Sequence, residues 1–152
     1  MLRELKDELY TKVGEIAEFG DRKYSVIDLD DMKQKLDLQK EGVGVGIAYG
    51  GTSPTPRDHA GKSMGSSSVA MLDIKFHVVV SYWYDSQESQ DNKERAFDIL
   101  DLIRVKLLGY TSSVARRGWE LVAEIPIQND GDNSTIFYMQ TWVVRSSQRS
   151  EQ

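Results

Sequence analysis

The sequence predicts an α+β domain: a mainly antiparallel sheet with two packed helices and a long inter-strand loop. Three observations predict it. Two segments carry apolar residues three or four apart, the helical period. Four segments alternate apolar and polar or small residues, the period of a strand. Between two of these strands lies a stretch rich in Gly, Ser and Pro, residues 50–68. The order is helix, strand, long loop, strand, helix, strand, turn, strand, with one domain over residues 1–145.

Leu2, Leu5, Leu9, Val13 and Ile16 form the stripe of the first helix, with Arg3, Glu4, Lys6, Asp7 and Glu8 mostly off it. Phe19-Gly20 is the expected stop. Lys23–Asp28 reads as a short strand. Asp30–Gln39 is a short helix or an irregular connection. Val43, Val45, Ile47 and Tyr49 then alternate with Gly42, Gly44, Gly46 and Ala48. One face of that strand is apolar and the other nearly bare, so something packs very close to it.

Val69–Trp83 is a long strand. Ile74, Phe76, Val78, Val80 and Tyr82 share one face; Lys75, His77, Val79, Ser81 and Trp83 make a mixed, half-exposed one. Asp85…Glu88 and Asp91…Glu94 both resemble capping boxes. Ala96, Leu100, Ile103 and Leu107 stripe the second helix, flanked by Phe97, Ile99 and Leu108, and Gly109 stops it. From Asn92 to Leu108 such a helix is about 26 Å long.

Tyr110–Gly118 is a loop containing Arg116-Arg117. Trp119, Leu121, Ala123, Ile125 and Ile127 alternate as a strand, and Gln128–Asn133 is a turn. Thr135–Arg145 returns with Ile136, Tyr138, Trp142 and Val144 on one face and Phe137, Met139 and Val143 on the other. A strand apolar on both faces is central, covered twice, or at a subunit interface. Residues 146–152 are expected to be a disordered tail.

The chain of 152 residues has a net charge of -5 and no cysteine. Disulfides and thiolate metal sites are therefore excluded. The acidic balance argues against a general nucleic-acid binder. No apolar run approaches the roughly 20 residues of a membrane helix, and the N-terminus lacks a signal-peptide core, so synthesis in the cytoplasm is expected.

Gly61-Lys62-Ser63 imitates the end of a phosphate-binding loop. The leading glycine of that pattern is replaced by Pro56, which lacks an N–H and fixes φ. A strand rather than a helix follows, so no helix N-terminus faces the anion. His59 and His77 have no second histidine or cysteine near them in sequence. Counted from Asp28, an EF-hand would need Gly at Lys33 and Glu at Gln39. Asp130-Gly131-Asp132 is explained as a turn. Arg57, Lys62, Arg116 and Arg117 are too few for a nucleic-acid footprint; they read as rim contacts to an acidic partner surface or as ordinary solubilising charge. Trp83, Trp119 and Trp142 suit an interface core and an ordinary core equally.

The ordered series of elements resembles the phage tail terminator (tail completion) proteins, in particular the type found in Mu-like phages and prophages. The residues behind this are the leucine-striped first helix and the glycine-alternating strand before the long loop. To them are added Leu107-Leu108-Gly109-Tyr110, Gly118-Trp119-Glu120-Leu121 and Tyr138–Val144. Related neck and head-completion proteins look similar at this level.

The resemblance implies a structural subunit that forms a homo-oligomeric ring, a hexamer. The ring caps the tail tube, ends its polymerisation and meets the head-tail connector. It belongs to the virion tail and assembles in the bacterial cytoplasm. The resemblance implies no catalytic residue, no cofactor and no metal. Partner or subunit contacts are expected from Arg57, Asp58, His59, Lys62, Arg116, Arg117, Trp119 and Trp142. The alternatives are a small nucleotide-binding protein or enzyme using residues 57–63, or a monomeric adaptor of a contractile injection system.

Overall fold

The computed structural model describes residues 1–16, 24–29, 42–55, 69–83, 89–127 and 135–149. Within them the fold is α+β, with two helices and a five-stranded, mostly antiparallel sheet. In chain order these are α1 (Leu2–Gly14), β1 (Tyr24–Asp28), β2 (Val43–Pro54), β3 (Val69–Trp83), α2 (Ser89–Leu108), β4 (Trp119–Ile127) and β5 (Thr135–Arg149). The sheet order is β1-β2-β3-β5-β4. Only β1 and β2 pair in parallel, so the chain between them has to return to the same end of the sheet.

Both helices pack on one sheet face. Leu5, Leu9, Val13 and Ile16 of the first stripe meet Val43, Val45 and Ile47, while Ala96, Ile99, Ile103 and Leu107 complete the same core. The predicted inner face of β3, from Ile74 to Tyr82, is buried there with Trp142 and Val144. Burial of these alternating aliphatic and aromatic side chains is the main driving force for the fold. The opposite face holds a smaller cluster of Leu29, Val79 and Phe137, with Ile27, Ile127 and Met139 against it. So β5 is an interior strand, between β3 and β4, with apolar side chains buried on both faces.

The bare face of β2 is filled by a neighbour. A Cβ built on Gly46 would lie 2.0 Å from Cδ1 of Leu29, which explains why no side chain is tolerated there. The α1 stop falls earlier than Phe19-Gly20, which lie outside the described residues. The helix ends at Gly14, where the Glu15 N–H reaches back to the carbonyls of Thr11 and Lys12.

Three boundaries differ from the sequence reading. First, β2 does not end at Tyr49. A register shift between Tyr49 and Gly51 makes a bulge, with Gly51 at φ 106°, and pairing resumes through Pro54↔Leu72. The glycine pair bends the strand instead of ending it, because glycine adopts that φ without a Cβ clash. The Thr55 N–H still bonds to the Met71 carbonyl at 3.0 Å, and residues 56–68 of the expected loop lie outside the described residues.

Second, β5 continues past Arg145 to Arg149, pairing Ser146↔Leu72 and Arg149↔Val69, so the first four residues of the expected tail are strand. A polar sequence sustains a strand here because β3 is long enough to supply its hydrogen bonds. Third, a register shift between Leu121 and Ala123 breaks the alternation of β4. Trp119 and Leu121 face the helices, whereas Ala123, Ile125 and Ile127 pair with the other face of β5.

Candidate functional site

The loop between α2 and β4 is built as a rigid presenter. Thr111 and Gly118 form an isolated antiparallel bridge that closes it. Inside, the Arg116 N–H bonds to the Ser112 carbonyl at 2.8 Å, and the Ser112 N–H to the Arg117 carbonyl at 2.9 Å. The Ser112 hydroxyl accepts from the N–H groups of Val114 and Ala115 at 3.2 and 3.0 Å. Arg116 is left at φ 62°, a left-handed conformation that costs an L-residue free energy and persists only when its surroundings impose it.

Glu8 of α1 anchors this loop from outside. Its Oε2 accepts from the Ser113 N–H at 2.8 Å, the Ser113 hydroxyl at 2.7 Å and the Tyr110 hydroxyl at 3.1 Å. Burial pushes the Glu8 carboxyl up, but hydrogen bonds from Ser112, Ser113 and Tyr110 outweigh it and hold the group below its ordinary value. A carboxylate depressed in the folded state stabilises the fold above its unfolded pKa. That contribution disappears as pH falls through the folded value. Glu8→Gln is therefore expected to cost about 1 kcal/mol near neutrality, the low end for a partly solvated charge-assisted bond. Urea denaturation at about pH 7 and about pH 3 checks it: the difference from the unmodified protein should shrink in acid. An equal difference at both would show that the charge is not the anchor.

Below the loop a cleft of about 320 Å³ is lined by Arg117, Gly118, Trp119, Glu120 and Arg145. It lies where β4 begins, while β5 runs on beyond it. Arg117 is exposed, and its side chain makes no hydrogen bond or ion pair among the described residues. Arg145 donates its Nε to Asp73 at 3.0 Å. Asp73 also accepts from the Thr55 hydroxyl at 2.8 Å. Burial raises the Asp73 carboxyl, but Thr55, Arg145 and the nearby Lys75 charge together hold it below the ordinary carboxylate value. The Trp119 indole N–H is buried and has no acceptor among the described residues. Its ring packs edge-on to Phe76 with centroids 6.1 Å apart.

His77 lies on the sheet face away from the helices. Its Nδ1 shares a 3.1 Å hydrogen bond with the Thr141 hydroxyl, and its ring closes over Gly50. Burial, then the Lys75 charge, lowers its pKa, so the neutral imidazole is favoured. This is a packed polar residue beside a glycine that leaves room for it.

The eight expected contact residues separate into three groups. Arg57, Asp58, His59 and Lys62 lie outside the described residues. Arg116 and Arg117 are exposed on the anchored loop, where a partner can reach them. Trp119 and Trp142 are core residues, 2% and 0% exposed, so the expectation that their side chains touch a partner is corrected. Alternation and aromaticity mark both a core and an interface, and here the core wins. Arg145, Glu8 and Asp73 were not anticipated. Arg145 shows one signal in the sequence, a cation closing an apolar run.

Among the described residues no helix is long and apolar enough to cross a membrane, and no His, Asp and Glu cluster could hold a metal ion. No protein-family model matches the chain, and comparison with curated proteins finds no relative.

Proposed function

We propose that this protein is a structural subunit of a phage or prophage tail. It would form a ring that caps the tail tube, ends tail polymerisation and joins tail to head. The observation that carries the reading is the outer strand of the sheet. Along β4, Val122 is 58% and Ile125 47% exposed, two aliphatic side chains on an edge with no further strand among the described ones. A bulge at Val122, the charges of Glu120 and Glu124, and Pro126 oppose continuous strand addition. Contact there is therefore made by side chains.

The other edge, β1, is a different, short parallel strand. Two unlike edges favour a heterologous contact, which closes into a ring when the rotation allows. The α+β fold agrees with the fold that the tail terminator resemblance implies. Light scattering on the protein with and without tail tube subunits tests the reading. The expected result is a ring-sized species, abolished by Val122→Glu combined with Ile125→Glu. A protein that stays monomeric at high concentration in both settings would sink it.

A further inference from the structure

We infer that the cleft between Arg117 and Arg145 is a docking site for a single Asp or Glu side-chain carboxylate on a peptide segment of a partner protein. Three observations meet there. The first is a guanidinium pair of unequal commitment. Among the described residues Arg117 has no ionic partner, and Arg145 pairs through its Nε with Asp73, with Glu120 nearby, leaving its two terminal nitrogens without an ion pair. A planar guanidinium fork matches a planar carboxylate, and such charge-assisted pairs are among the stronger hydrogen bonds.

The second is preorganisation. The Arg117 loop is held by the Thr111–Gly118 bridge, by Ser112 and by Glu8, so little backbone freedom is lost when a ligand arrives. A left-handed Arg116 is what that closure imposes on the loop. The third is the charge around the cleft. Glu120 lines it and Asp73 sits behind Arg145. These two carboxylates, with a net charge of -5, repel a multiply charged polyanion but leave room for one monovalent group. A single carboxylate is thus favoured over a nucleic-acid backbone.

This site is independent of ring formation and stands whether or not the protein caps a tail. It is tested on the isolated full chain by fluorescence anisotropy. The probe is a rhodamine-labelled, C-terminally amidated glycine peptide with one central Glu. A second probe, an all-Gly peptide with a free C-terminus, separates a side-chain carboxylate from a terminal one. Saturable binding of the Glu peptide is expected, tighter than that of the all-Gly peptide and weakened roughly tenfold by Arg117→Gln, the loss of one charge-assisted contact. Arg3→Gln, which removes the same charge from α1, should leave affinity within about twofold. Arg117 is exposed, so an unchanged melting temperature confirms that the variant is folded.

Three results would overturn the assignment. One is binding of the Glu peptide that is absent or no tighter than that of the all-Gly peptide. Another is an equal loss in Arg3→Gln, which would mean general charge attraction. The last is a single-stranded oligonucleotide of equal length displacing the peptide at lower concentration, which would assign the cleft to nucleic acid.

Discussion

Replacing Trp142 with alanine is expected to remove about 3–5 kcal/mol of stability, the range for emptying a buried aromatic site. Trp142 is fully buried on β5, on the face that carries both helices. Its indole N–H donates to Oε1 of Gln140 at 3.0 Å. Gln140, also fully buried, passes its own amide to the Leu100 carbonyl at 3.1 Å and to Oε1 of Glu124 at 2.8 Å. Arg104 closes the network by pairing with Glu124 and Asp101. Trp142→Ala therefore opens a cavity and orphans an amide oxygen in one step.

Trp142→Phe separates those losses. The ring fills most of the space, and the remaining cost, about 1–3 kcal/mol, is that of the unsatisfied Gln140 oxygen. Urea denaturation reads both: the midpoint should fall with little change in slope. A Trp142→Ala cost under about 1 kcal/mol would contradict its place in the core.

The same strand shows how much of the fold was legible. Its two faces were readable because both are apolar from Ile136 to Val144 apart from Gln140 and Thr141, and each face found its own cluster. Position Gln140 was legible only as an exception to an apolar face. Its function depends on Leu100 and Glu124, which reach it from other elements. The bulge at Val122 was illegible for a related reason. Every second residue from Trp119 to Ile127 is apolar, and an inserted residue leaves that pattern intact while moving half of it to the other face. Gly50-Gly51 misled in the opposite direction: a glycine pair is a turn signal unless a long neighbour keeps the strand paired, and β3 does. The candidate site was half visible. Arg116-Arg117 stood out as a local pair. The cleft that Arg117 and Arg145 both line, and the anchoring of the loop by Glu8, join residues far apart in sequence and appear only when the sheet register is known.

Gly46 offers the second large effect, and it is a claim about a pair of residues. Gly46→Ala places a Cβ 2.0 Å from Cδ1 and 2.8 Å from Cγ of Leu29. Leu29 is itself buried, held beside Val79 and Phe137, with its N–H bonded to the Ile47 carbonyl at 3.2 Å. Its side chain has to leave that site or β2 has to shift. Alanine would otherwise gain a little over glycine in a strand, about 0.5–1 kcal/mol. Overpacking of about 1–3 kcal/mol exceeds that gain, and Gly46→Val should cost more. The decisive measurement is a double-mutant cycle. Leu29→Ala alone loses apolar burial, yet in the Gly46→Ala background the same change also relieves the clash. The two substitutions together should therefore cost less than the sum of the singles, with a coupling of at least about 1 kcal/mol. Strict additivity would mean that Leu29 does not lie on the glycine face. The smaller cluster would then have to be closed by something else, because the three heavy atoms nearest a Cβ at Gly46 all belong to Leu29.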